Sequence, residues 1–300
     1  MKIILHEVGL RDGLQMESET FPTISKIQLA EDMMKAGVDI IQLGSFVNPA
    51  RLPQMADIDE LFEHFSETGN KTGDSILSGL VLNEKGLERG MKCGVEMFCM
   101  GVSASETHSK KNTGKSPIEA MDEIISMAKR AMSAGKLVQT SVQSAFGCGF
   151  EGNIPENRVI DMVEKYLDAG VRSISLADTA GHANPEKVER MFSTIKELDN
   201  DIKLACHFHN TYGMGMANCW AAMKSGVTYI ETAFGGLGGC PFTKMPSGNV
   251  PTEDFVHLLQ NMNIRTDINI EKLIGIAKYA SGFFVRELPG YVYKTGIIKH

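Results

Sequence analysis

The stretch GVRSISLADTAG, residues 170–181, decides the fold. A glycine stands where a helix would end in the left-handed conformation, which glycine adopts without a Cβ penalty. Two residues later an apolar run begins, and it closes on small and polar residues at Asp178. The same grammar recurs at GVDIIQLGS (37–45), GVEMFCMGVS (94–103), GKLVQTSVQS (135–144) and GVTYIETAFGG (226–236). Three further runs fit it: IILHEVGLRDG (3–13), SILSGLVLN (75–83) and KLACHFHN (203–210). Short apolar runs bounded by turn residues read as buried parallel strands. Between them lie stretches of helical period, such as TISKIQLAEDMMKAG (23–37), SPIEAMDEIISMAKRAMSAG (116–135) and PENRVIDMVEKYLDAG (155–170), several opened by Ser, Thr or Pro.

Eight strands alternating with helices point to an α/β protein of the (β/α)8, or TIM-barrel, class. A doubly wound open sheet is the rival, but the glycine-rich phosphate fingerprint after the first strand is missing. The expected division is a barrel over residues 1–264 and a C-terminal helix and tail, 265–300, packed on it.

Composition narrows the function. The chain has 300 residues, 43% of them hydrophobic and 22% charged, with a net charge of −7. No Lys/Arg cluster offers a nucleic acid its electrostatic footprint. No run of about 18 apolar residues suits a membrane, and MKIILHEVG is too short for a signal-peptide core, so a cytoplasmic protein is expected. The six cysteines form no CxxC pair and are expected as free thiols.

In a barrel of this class the chemistry sits where strands end. Those ends carry Arg11 and Asp12, Gln42 and Ser45, Asn83, Ser103, Gln143, Asp178, His207 and His209, then Glu231 and Thr232. Residues i and i+2 of a strand share a face, so His207 and His209 project together. With Asp12 from another strand end they could ligate a metal, and two imidazoles with oxygen ligands suit Mg²⁺ or Mn²⁺, Zn²⁺ less. GGLGGCPFTKMPSGN (235–249) is glycine-rich enough to let backbone approach a ligand, and Cys240 sits in its middle. ASETHSKKN (104–112) sets Lys110 and Lys111 beside the mouth, as a solvated charge pair or a phosphate clamp.

Taken together, EVGLRDGLQ (7–15), SFVNP, ASETHSKKN, GCGFEG, SLADTAG, HFHNTYG and GGLGGCPFTKMPSGN make the chain resemble the 3-hydroxy-3-methylglutaryl-CoA lyases, barrels with an Asp-Arg-Glu metal signature. The resemblance implies a divalent-metal site of Asp12, His207, His209 and Asn249. It makes Arg11 the holder of the substrate carbonyl, Cys240 the loop cysteine that closes over the site and Asp178 a proton-transfer candidate. It implies an acyl-CoA substrate, with Lys110, Lys111 and Asn112 toward the CoA, and a homodimer. The implied reaction is retro-Claisen cleavage of a 3-hydroxyacyl-CoA, such as 3-hydroxy-3-methylglutaryl-CoA to acetoacetate and acetyl-CoA. Alternatives are a related branched hydroxyacyl-CoA such as citramalyl-CoA, an acetyl-CoA-dependent condensing synthase, or a barrel that binds without turnover.

The chain departs from that pattern at the end of the second strand, where Gln42 replaces the signature glutamate. Gln keeps the size and one acceptor but no charge, so Arg11 is expected to lose a partner and the site one negative charge. Asn210 stands for the usual Asp, Lys244, Met245 and Pro246 replace smaller residues, and the tail RELPGYVYKTGIIKH differs. These changes suggest retained metal chemistry on a shifted substrate.

Overall fold

The computed structural model describes residues 2–67, 69–239 and 248–298. Eight parallel strands, β1 (Ile4–Glu7), β2 (Ile40–Ser45), β3 (Ile76–Leu80), β4 (Met97–Ser103), β5 (Leu137–Gln143), β6 (Ser173–Asp178), β7 (Lys203–Phe208) and β8 (Tyr229–Thr232), follow one another around a closed barrel. Closure is made by β1 on β8, with Ile4 opposite Tyr229 and Glu7 opposite Thr232.

The connections are the expected helices: α1 (Thr23–Ala36), α2 (Ile58–Ser66), α3 (Glu84–Lys92), the short α4 (Glu106–Thr113) with α5 (Pro117–Ser133), α6 (Glu156–Asp168), α7 (Pro185–Lys196) and α8 (Gly215–Lys224). Their termini follow the sequence signals. Ser116 and Glu119 cap α5 reciprocally with Pro117 in the first turn, and Gly37 ends α1 at φ 89°. After β8 come α9 (Thr252–Asn261), α10 (Ile270–Phe283) and the single turn α11 (Val292–Thr295). The main core lies between the outer faces of the strands and the helices, whereas the barrel interior is unusually polar: His6, Gln42, Ser78, Gln139 and Glu231 are all buried.

Two strand ends differ from the sequence reading. The first strand stops at Glu7 rather than running on to Gly13, and Gly9–Gly13 forms a single wide turn of π-helix. The cause is the Glu7 side chain. Fully buried, it accepts hydrogen bonds from the Gly9 amide at 2.7 Å, the Phe234 amide at 3.1 Å and the Thr252 hydroxyl. A Cβ on Gly9 would lie 2.6 Å from the Glu7 carboxylate and as close to the Phe234 ring, so only glycine fits. Likewise β8 ends at Thr232 and turns sharply through Phe234–Gly236, with Gly235 at φ 64° and Gly236 at φ 71°.

The C-terminal tail lies behind that turn. Buried Leu288 packs on Gly235, the Gly290 amide donates to the Gly235 carbonyl at 3.0 Å, and the amides of Tyr291 and Val292 donate to Asp254 in α9. Glu253 accepts from the Gly235 amide at 3.0 Å, and its other oxygen has no hydrogen-bond partner.

Burial raises the Glu7 carboxyl to about 7 and Glu253 to about 8 from an ordinary 4.5. A carboxyl raised by folding gives its full stability below the unfolded value and loses it as pH rises through the folded one. Stability from this pair is therefore greatest below about pH 4.5 and declines through pH 7 to 8. Glu253→Gln removes one such charge. Its melting temperature relative to the parent protein is expected to be several degrees more favourable at pH 8.5 than at pH 5, read by paired thermal melts. An equal difference at both pH values would show that the charge costs nothing.

Candidate metal centre

The turn after β1 aims Asp12 across the barrel mouth toward the end of β7. The Nδ1 of His207 donates to Glu231 Oε2 at 3.0 Å, and the Nδ1 of His209 donates to the Thr179 carbonyl at 2.9 Å. Those acceptors take the Nδ1 protons and turn both Nε2 atoms inward, where each offers a lone pair to a metal or, on His209, can carry a proton toward Asp12. The two Nε2 atoms face each other at 3.0 Å, with Asp12 Oδ2 at 3.8 Å from His207 and 3.5 Å from His209. Three lone-pair donors thus converge in a buried place, an arrangement that repels itself unless a cation or a shared proton lies between them.

Asn249 lies beside the group. Its Nδ2 donates to Asp12 Oδ2 at 2.8 Å and to the Leu237 carbonyl at 2.9 Å, while its buried Oδ1 has no partner. Two imidazole nitrogens, a carboxylate and an orphaned amide oxygen, without thiolate, fit a divalent cation. Among the described residues this is the sole cluster of three or more such side chains with ligand spacing.

Arg11 lies beside it, paired with Asp12 through Nη1, while its Nε donates to Gln42 Oε1 at 2.5 Å. The expectation that Gln42 costs Arg11 its partner is overturned, because the amide oxygen still accepts. What is missing is the charge. Burial alone would raise Asp12, but the Arg11 charge and the two histidines hold it well below the usual carboxylate range. Burial would likewise raise Glu231, yet the His207 hydrogen bond and the charges of His207, His6 and Arg11 bring it to about 2. Burial would lower His209, and its bond to Asp12 outweighs that.

A cavity of about 990 Å³ opens above the cluster, large enough for an extended cofactor-like ligand. Its buried part is lined by Gln42, Cys99, Gln139 and Ser175, its exposed part by Arg51, Lys85 and Asn112. The other expected residues fall differently. Lys110 is exposed beside Glu106 at 3.9 Å, and Lys111 lies 4.0 Å from the Phe150 ring centroid; neither is among the described lining residues, whereas Asn112 is. Asp178 alternates out of phase with Ala177 and Thr179, which do line the cavity. Its carboxylate accepts from the amides of His182 at 2.8 Å and Ala183 at 3.1 Å, and burial raises it. The structure therefore places Asp178 in the barrel wall, not facing the cavity. Asn210 accepts from the Gly215 amide at the start of α8. Cys240, with Lys244, Met245 and Pro246, lies outside the described residues.

Two residues that the sequence reading left without a role belong to the cluster's support. Glu231 holds His207, and the Gln15 amide donates to Asp12 Oδ1 at 3.1 Å. Glu231 was visible at a strand end, but its partner depends on the register that sets His207 opposite Glu231.

The model of the HMGL-like family matches residues 2–279. The chain belongs to the HMGL-like family. Among its relatives, the hydroxymethylglutaryl-CoA lyase of Bacillus subtilis is 34% identical over 96% of this chain and 95% of that protein. The (R)-citramalyl-CoA lyase of Chloroflexus aurantiacus is also 34% identical, over 98% of this chain and 95% of that protein. The structure resembles that of an HMG-CoA lyase from Acinetobacter baumannii in complex with coenzyme A and 3-methylmalate, with a TM-score of 0.91, 35% identity, and coverage of 99% of this chain and 95% of that one. This HMGL-like chain carries its candidate site on the barrel, and no described helix is long and apolar enough to cross a membrane.

Ligand-linked stabilisation tests the cluster. Excess Mn²⁺ is expected to raise the melting temperature by several degrees, since a ligand at 100 times its Kd adds about 2.7 kcal/mol. The paired change His207→Ala with His209→Ala should remove that shift; its persistence would place the ion elsewhere.

Proposed function

We propose that the chain is a divalent-metal-dependent carbon–carbon lyase that cleaves a 3-hydroxyacyl-CoA, foremost 3-hydroxy-3-methylglutaryl-CoA to acetoacetate and acetyl-CoA. The observation that carries this reading is the convergence of Asp12 Oδ2 with the Nε2 atoms of His207 and His209 beside Arg11. A family match supplies the reaction class, and the cluster supplies a place for it to occur.

A base takes the substrate hydroxyl proton, the bond between the tertiary alcohol carbon and the thioester α-carbon breaks to a ketone and an acetyl-CoA enolate, and a proton delivered to the enolate carbon balances the one removed. A bound Mg²⁺ or Mn²⁺ supplies Lewis acidity toward the substrate hydroxyl and orients it. The remainder is the work of the chain's own residues. Arg11, permanently charged, stabilises the negative charge that grows on the thioester oxygen. The long cavity takes the CoA, with Asn112 at its exposed part. Gly239 lines that cavity, and Cys240 follows it directly in the chain; Cys240 is assigned proton delivery to the enolate carbon, as the resemblance implies.

Citramalyl-CoA is the second reading. It is supported by the Chloroflexus relative, as similar to this chain as the Bacillus one, and by Gln42, which leaves Arg11 without a charged partner on that side. A homodimer, expected from the resemblance, would scatter light as twice the 32.8 kDa chain.

The deciding experiment incubates the purified protein and Mn²⁺ separately with each thioester and follows the products by mass spectrometry. EDTA-sensitive release of acetoacetate and acetyl-CoA carries the first reading; pyruvate and acetyl-CoA carry the second. A folded, metal-loaded protein that cleaves neither would end both. Arg11→Met is expected to lower kcat on the active substrate by about 100- to 1,000-fold, the usual loss when one stabilising donor is removed.

A further inference from the structure

Resting on the metal reading above, we infer that Glu231, gripped by Gln139, is the positioning residue that makes His207 a ligand and supplies the negative charge that Gln42 does not carry. Glu231 is on β8 and His207 is opposite it on β7. One carboxylate oxygen accepts the His207 Nδ1 proton at 3.0 Å, and the other accepts from Gln139 Nε2 at 2.7 Å. Gln139 belongs to β5, two strands removed from its acceptor's nearest neighbour, so the second bond reaches across the barrel interior. All three side chains are more than nine-tenths buried.

Each contact has a consequence. An imidazole whose Nδ1 proton is fixed by an acceptor presents Nε2 as a lone pair in one orientation, which is what a ligating histidine needs. His209 obtains the same service from a neutral backbone carbonyl of Thr179, so the two rings are not equivalent. Gln139 matters because a carboxylate held by one bond could swing away, whereas a carboxylate held at both oxygens cannot rotate without breaking one of them.

The charge balance points the same way. Among the charged side chains gathered around the ligands, Arg11 is positive, and Asp12 and Glu231 are negative. Gln42, which takes the Arg11 Nε proton, is neutral. Without Glu231 a divalent cation would face Arg11 with only Asp12 to offset both. Glu231 thus gives the cluster its second negative charge from beneath His207, leaving the cavity side of Arg11 for an anionic substrate.

Two readouts test this without relying on turnover. In the first, free Mn²⁺ is counted by electron paramagnetic resonance during titration. Glu231→Gln keeps the shape and an acceptor but removes the charge, and it is expected to weaken Mn²⁺ binding by about 10- to 100-fold. Gln139→Leu, which leaves the charge but frees it to rotate, should weaken binding less. In the second, nitrogen-15 NMR of the histidine rings without metal should show His207 as a single Nδ1-protonated tautomer in the parent protein and a mixture in Glu231→Leu, whose side chain offers no acceptor. A merely structural role would lower the melting temperature and leave both readouts unmoved. Binding of Mn²⁺ by Glu231→Gln within twofold of the parent would overturn the inference. If the parent protein binds no Mn²⁺, the metal reading itself falls. The ring tautomer then decides: an unchanged tautomer in Glu231→Leu overturns the positioning role, and a released one upholds it.

Discussion

A buried carboxylate, Glu7, sets the frame on which the site is built. It ends β1 by accepting the Gly9 amide, ties that turn to β8 through the Phe234 amide, and reaches the start of α9 through Thr252. With its proton given to Glu7, the Thr252 hydroxyl accepts from the hydroxyl of Thr232, the last residue of β8, at 2.8 Å. One side chain thus links the turn that carries Arg11 and Asp12 to the segment that carries Asn249. Asn249 is more than two hundred residues from Arg11 and Asp12 and meets Asp12 at 2.8 Å, so closing the barrel also assembles the cluster. Gly9 is glycine for this reason: a side chain there would displace either the carboxylate or the Phe234 ring.

The buried carboxylates sort into two kinds, and burial does not separate them. Glu7 and Glu253 are surrounded by amides and a hydroxyl, and desolvation prevails, so both are raised. Asp12 and Glu231 lie as deep but next to Arg11 and the two histidines, and both are lowered. A few hydrogen bonds from neutral donors do not offset the loss of water around a carboxylate, whereas a neighbouring cation does. The pair behind the turn is therefore a structural device that tolerates protonation. The pair at the mouth stays ionised and ready to bind a cation.

Much of the fold was legible because the repeat is local. Each Gly that ends a helix and each apolar run after it, from GVDIIQLGS to GVTYIETAFGG, is an independent statement of the same unit, and eight of them leave little choice of closure. His207, His209 and Asp12 were legible for a related reason, since strand alternation and strand ends fix where they point. The failures all involve something nonlocal or a phase. The end of β1 depends on Glu7 meeting Phe234, more than two hundred residues away. Asp178 has the right chemistry at the right strand end but the wrong parity, so it braces the 182–183 backbone. Glu231 has its partner on a neighbouring strand, and only the register discloses it.

Gln42 shows how one lost charge redistributes the work of a site. An amide and a carboxylate of equal length both accept the Arg11 Nε proton, so the geometry of the pair survives the exchange. What changes is the field. Arg11 keeps Asp12 on one side and faces the cavity with more of its charge uncompensated. A guanidinium in that state favours an anionic ligand group more strongly than one already neutralised by two carboxylates. Gln42 thus changes the field around Arg11 without being one of the three converging donors.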